Sequence, residues 1–123
     1  MTFNGTNVIH LEDTDFKNNV LHFQGAPVKG KWLVMVQGTY CGFCTKSKKP
    51  FVDLSEKYPN NGVIFATVHI DGTDPEKNLG RRLSDIIKKP ISGVPAYLLF
   101  ENGKFSAMVS GGKGESELIE FMK

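Results

Sequence analysis

Cys41-Gly42-Phe43-Cys44 holds both cysteines of the chain. Two thiols separated by two residues can close a short, reversible disulfide, and the chemistry that pair suits is thiol–disulfide exchange. The run Trp32 to Gln37 reads as a near-continuous apolar strand, and Gly38-Thr39-Tyr40 as a short loop, so a helix is expected to begin at the cysteines. Cys41 then lies at a helix N-terminus, where unpaired N–H groups and the positive end of the macrodipole favour a thiolate, and it is the expected nucleophile. Cys44, one turn on, is within reach of Cys41 and deeper in the helix, and it is the expected resolving thiol. Lys46, Lys48 and Lys49 add positive charge to the same turns and are expected to support the Cys41 thiolate, weakened by salt screening.

Two plainer readings compete. Half of a zinc site would need about four ligands, and His10, His22 and His69 have no partner at close spacing, so no metal is expected. These histidines read as structural or surface residues. A static structural disulfide across so short a loop would constrain the unfolded chain little.

The elements that must position the pair follow from periodicity. Val8 to Leu11 reads as a short strand. Asp13 or Thr14 can cap a helix carrying Phe16, Val20 and Phe23 at i, i+4 and i+7, ended by Gly25-Ala26-Pro27. The cysteine helix carries a stripe of Phe51, Leu54 and Tyr58, should kink at Pro50, and is broken by Pro59-Asn60-Asn61-Gly62. Val63 to Ile70 is a strand, and Asp74-Pro75 opens a helix with Leu79, Leu83, Ile86 and Ile87 inward, stopped by Lys88-Lys89-Pro90. Ala96 to Phe100 and Lys104 to Val109 flank Asn102-Gly103, a type I′ hairpin signal, and a last helix carries Leu118, Ile119 and Met122. The order β-α-β-α-β-α-β-β-α, without repeat or linker, predicts one α/β domain over residues 1–123.

Composition bounds the function. A chain of 123 residues with 40% hydrophobic and 23% charged residues is an ordinary globular one. The net charge of +2 is too small to argue for nucleic acid. No run approaches a membrane span, and the start Met1-Thr2-Phe3-Asn4-Gly5 lacks the pattern of an export signal, so a cytoplasmic location is expected for the chain as written. Asn4-Gly5-Thr6 matches a glycosylation acceptor, which without a secretory signal has no use.

The element order, the strand leading into Tyr40-Cys41-Gly42-Phe43-Cys44 and the later Gly93-Val94-Pro95-Ala96 together resemble the thioredoxin superfamily over nearly the whole chain. The resemblance implies a thioredoxin fold, a central mixed sheet of about five strands flanked by about four helices. It further implies a thiol–disulfide oxidoreductase, reductase- or isomerase-like, that needs no cofactor and exchanges disulfides with protein substrates and a redox partner; a monomer is expected. Cys41 and Cys44 become the catalytic pair. Pro95 takes the place of the family's cis-proline beside the disulfide. Val94 pairs its backbone with extended substrate, and Gly111 and Gly112 match the glycine turn of the groove. Tyr40, Gly42 and Phe43 complete the substrate-binding set. Non-catalytic service as a thioredoxin-fold binding module is the alternative, because fold alone does not establish function. A metal or iron–sulfur bridge between two chains, as in some glutaredoxins, is a further rival that the Lys-rich surroundings disfavour.

Departures from the pattern are informative. By strand register, the family's buried Asp and Lys fall on Met35 and Thr67, which is expected to slow deprotonation of Cys44. Tyr40 replaces the usual Trp and keeps an aromatic wall with a polar tip. The stretch between Asp71 and Pro95 is longer than in short thioredoxins. Phe43 replaces a proline, restoring an N–H near the Cys41 sulfur, which stabilises the thiolate and predicts a pair more oxidising than thioredoxin. Its Gly-aromatic dipeptide also resembles that of bacterial disulfide isomerases.

Overall fold

The computed structural model describes residues 3–57 and 62–123. Strand β1 is Ile9–His10, and a single 3-10 turn covers Asp13–Asp15. Then come β2 (Phe16–Lys17), β3 (Val20–Phe23), β4 (Ala26–Pro27), β5 (Lys31–Gln37) and helix α1 (Gly42–Lys57). The second half runs β6 (Val63–His69), α2 (Asp74–Ile87), β7 (Ala96–Glu101), β8 (Lys104–Ser110) and α3 (Glu115–Phe121). Five strands form one sheet in the order β1-β6-β5-β7-β8, in which β1, β6 and β5 are parallel and β7 runs antiparallel to both of its neighbours, β5 and β8.

Because β5 lies at the centre of this sheet, it must be apolar on both faces. Trp32, Val34 and Val36 join α2's Leu79, Leu83, Ile86 and Ile87 in one buried cluster. Leu33 and Met35 join Phe51 and Leu54 of α1, with Leu118 and Met122, in the other. The strand's C-terminal end is thus clamped between two cores where the cysteine helix begins. Pro50 lies within α1, which runs on through it. Tyr58 and Pro59-Asn60-Asn61, part of the expected stripe and helix breaker, lie outside the described residues, whereas Gly62 has φ +74°.

The expected helix over Phe16, Val20 and Phe23 is absent. In its place β2, β3 and β4 form a second, three-stranded sheet, so the described residues hold three α-helices rather than about four. The turns explain it. Asn18 and Asn19 both take positive φ, 52° and 63°, as do Gln24 and Gly25 at 54° and 82°. A pair of left-handed residues folds a strand back on itself with the right twist, and asparagine tolerates that region better than most residues. Phe16 then faces Leu21 across the hairpin, and its ring packs on Phe100 at 5.5 Å. Phe23 packs on Trp32 at 5.6 Å. The small sheet is tied to the β7–β8 turn where Leu21 N–H donates to the Gly103 carbonyl at 2.8 Å. A Cβ on Gly103 would sit 2.8 Å from Val20 Cγ1 and 3.0 Å from the Leu21 oxygen, so this close approach requires glycine. Asn102 and Gly103, with φ 53° and 84°, make the expected hairpin turn.

Helix α2 starts one residue earlier in function than expected. Thr73, not Asp74, is the N-cap: its hydroxyl accepts from Glu76 N–H, and the Glu76 carboxylate accepts from Thr73 N–H at 2.9 Å. Two orphan donors are satisfied reciprocally, with Pro75 in the first turn. The helix ends in left-handed Lys88, ahead of Pro90.

Candidate active site

Strand β5 delivers a buried Gly38 and then an exposed Thr39 and Tyr40 to the start of α1. Cys41 stands just before the helix, and its carbonyl accepts the first helical bond, from Thr45 N–H at 3.1 Å. Its sulfur accepts from Cys44 N–H at 3.0 Å. Cys41 therefore occupies the capping position that Ser, Thr or Asp usually fills, and sulfur takes the place of the capping oxygen. Cys44 is fully buried, in the apolar cluster with Met35 and Phe51, whereas Cys41 is only half-buried. The two are joined as a disulfide with their Cα atoms 5.1 Å apart.

The Val94–Pro95 peptide bond is cis, and the Val94 carbonyl oxygen lies 3.4 Å from Cys41 Sγ. The Pro95 carbonyl accepts from Gly111 N–H at 2.9 Å, which brings the turn after β8 to the same place. Gly111 has φ +88°, and a Cβ on Gly112 would come 2.9 Å from Ser47 Oγ. Tyr40 and Phe43 are 97% and 69% exposed, and with half-buried Val94 they offer apolar surface around the sulfur. Tyr40, Gly42 and Phe43 thus flank Cys41 along the chain, Val94 meets its sulfur, and Pro95 links Val94 to Gly111. Ile70, expected as the end of a strand, lies just past it as another exposed apolar residue, and a Cβ on Gly38 would touch it at 3.5 Å.

The lysines are disposed differently from the expectation. Lys46 lies over the Phe43 ring at 5.8 Å, Lys48 over Phe3 at 5.5 Å, and Lys49 pairs with Asp53 at 3.0 Å. Two of the three are therefore engaged away from the disulfide, and Lys46 alone stays over a residue of the motif.

Met35 and Thr67 are paired in register on β5 and β6, both fully buried, and the Thr67 hydroxyl donates to the Met35 carbonyl at 2.8 Å. Tyr97 is the β7 partner of Met35. Burial pushes its hydroxyl pKa up, against weaker opposing contributions from Ser47 and the Lys113 backbone.

A polar cluster unforeseen from the sequence braces the loop before Cys41. Thr39 N–H donates to the Asp71 carboxylate at 2.9 Å, and the Thr39 hydroxyl donates to it at 3.1 Å. His69 Nε2 lies 2.8 Å from that hydroxyl and 2.9 Å from the carboxylate. Burial alone would raise the Asp71 pKa, but the Thr39 bonds and the His69 imidazole outweigh it and hold it below the usual value. Glu76 is likewise held low: burial opposes ionisation, and Thr73 and His10 more than offset it. Gln37 is fully buried, and its side-chain amide has no hydrogen-bond partner among the described residues. Only its position in an apolar run signalled it.

This architecture, a five-stranded mixed sheet with α1 springing from β5 behind a cysteine pair and a cis-proline beside it, is the thioredoxin fold. The comparisons agree: the thioredoxin family model matches residues 7–123, and the chain belongs to that family. It is 31% identical to the thioredoxin-like protein 453L of Invertebrate iridescent virus 6, over 79% of this chain and 78% of that one. Thioredoxin f2 of Chlamydomonas reinhardtii superposes with a TM-score of 0.68 at 23% identity, covering 94% of this chain and 93% of the other. Among the described residues no helix is long and apolar enough to cross a membrane, and no group of three or more His, Cys, Asp or Glu is placed to hold a metal.

Proposed function

We propose that this chain is a thiol–disulfide oxidoreductase acting on protein disulfides or dithiols, built as one domain that works as a monomer in the cytoplasm without cofactor. The observation that carries the reading is the asymmetry of the pair: a half-buried Cys41 at the cap of α1, backed by a fully buried Cys44 in hydrogen-bond contact with it. In the reductive direction the Cys41 thiolate attacks one sulfur of a substrate disulfide. A Cys41–substrate bond forms, the substrate S–S bond breaks, and the departing thiolate takes a proton from solvent. Cys44 then loses its proton and attacks Cys41 Sγ, expelling the second substrate thiol and leaving the Cys41–Cys44 disulfide. The substrate gains two electrons, and an external dithiol returns them to the pair. Substrate runs extended past Val94, with Tyr40, Gly42, Phe43, Pro95 and Gly111 lining its path.

Cys44→Ser is expected to accumulate a mixed disulfide with a reactive client protein, and Cys41→Ser to form none. Equal trapping by both variants, or by neither, would refute the assignment. The neutral Met35–Thr67 pair, in place of an acid near Cys44, favours a second reading as a binding module. In that case the Cys41→Ser, Cys44→Ser double variant would retain its partner.

A further inference from the structure

Beside Val94 lies a cavity of about 400 Å³ that the exchange chemistry leaves unused. Its floor is apolar, with Val36, Leu83 and Ile91, and one wall is a single face of α2: Lys77, Gly80, Arg81 and Ser84 recur at i, i+3, i+4 and i+7. Gly80 lets that wall close on Ile70, just past the end of β6, since a Cβ there would be 3.2 Å from Ile70 Cγ2. The Ser84 hydroxyl accepts from Ile91 N–H at 3.4 Å and so joins α2 to the loop leading into Val94.

The charges in the cavity are unbalanced. Its one carboxylate, Asp71, is turned to Thr39 and His69. Among the described residues Arg81 bonds the neutral Asn78 amide, at 2.8 Å, with no carboxylate paired to it, and Lys77 is half-buried with no carboxylate against it. Two cations one turn apart on a helix repel each other. An anion seated between them would remove that repulsion and gain charge-assisted hydrogen bonds.

We infer that this cavity is a specificity subsite for an acidic side chain, Asp or Glu, of the same substrate polypeptide whose cysteine meets Cys41. The carboxylate lies between Lys77 and Arg81, and the aliphatic stem lies on Val36 and Leu83. The inference rests on the proposed oxidoreductase function for its kinetic consequence, although not for binding itself.

The test uses terminally blocked peptides, each with one cysteine in disulfide linkage and a single Glu moved through the flanking positions, against the Gln counterpart. The native chain is expected to exchange with the Glu peptide at one or two positions about fivefold faster in kcat/KM, the preference fading at high salt. In the Lys77→Met, Arg81→Met double variant, which keeps the side-chain bulk, the preference is expected to vanish while the Gln peptide reacts at the native rate. No Glu preference at any position, or one that survives the double variant, would overturn the subsite. The same peptides, reduced to the free thiol, are titrated by fluorescence anisotropy onto the Cys41→Ser, Cys44→Ser variant with and without the α2 substitutions. There the Glu preference must appear in Kd without chemistry. Failure of exchange with every peptide would sink the oxidoreductase reading, and the anisotropy result would still decide the subsite.

Discussion

Replacing Phe43 by proline is expected to make the Cys41–Cys44 pair more reducing by about 15–30 mV. The sulfur of Cys41 already accepts one aligned donor, Cys44 N–H at 3.0 Å, at the third position of α1. The N–H groups of Gly42 and Phe43, ahead of it in the first turn, have no carbonyl within the helix to bond and add their dipoles at the same end. Proline deletes the Phe43 donor at a place where a helix tolerates it. A full charge-assisted bond to a thiolate contributes about 1.5–3 kcal/mol, and a donor that is near the sulfur but not aligned with it contributes about half of that. For a two-electron couple 30 mV corresponds to about 1.4 kcal/mol, hence the range. The sign follows because the thiolate exists only in the reduced form, so losing a donor weakens that form. Titration against glutathione buffers, read by mass after trapping free thiols, measures the shift. The native chain should fall between about −270 and −180 mV. Phe43→Ala, which removes the ring under Lys46 and keeps the N–H, should stay near the native value. An unchanged or more oxidising potential in the proline variant, or an equal shift in the alanine variant, would refute the reasoning.

Other consequences can be checked more simply. Gln37→Met, which replaces a buried unpartnered amide with an apolar chain of similar length, is expected to raise stability in urea by about 1 kcal/mol, and a loss of stability would show that the amide is bonded. Asp71 and Glu76 are both held below their ordinary values of 3.8 and 4.5, so the stability they contribute is present above those values and lost as pH falls through the lowered ones. The Asp71→Asn, Glu76→Gln variant should therefore lose less stability than the native chain between neutral pH and strong acid, and parallel curves would contradict this. Met35→Asp is expected to cost about 3 kcal/mol at neutral pH and to recover part of it on acidification, because burial raises the new carboxyl's pKa. The same variant should speed release of a substrate from the mixed disulfide in stopped-flow measurements.

What could be read from the chain alone was whatever local pattern dictates. The run Trp32 to Gln37 is apolar because a central strand is covered on both faces, and Leu79, Leu83, Ile86 and Ile87 repeat at helical spacing because α2 buries one face. The stretch from Phe16 to Phe23 misled because its apolar spacing fits a helix as well as two short strands, and the deciding information lay in the left-handed Asn18-Asn19 turn. The cysteines, Tyr40, Phe43 and Val94-Pro95 announce themselves by type and order. Thr39, His69 and Asp71 do not: they meet only when β5 and β6 lie side by side, and each alone is an ordinary loop or strand-end residue. The lysines of α1 show the converse, since their number suggested a shared task, whereas Lys48 and Lys49 have separate partners and only Lys46 lies over the motif.

The bond between Cys44 N–H and Cys41 Sγ has a mechanical meaning as well as an electrostatic one. The helix start sets the two Cα atoms 5.1 Å apart and fixes the N–H of one residue on the sulfur of the other. Opening that link is therefore expected to ask little displacement of the backbone, with the motion of the exchange falling to the incoming polypeptide. The two redox states should then differ in hydrogen-exchange protection only within the first turn of α1.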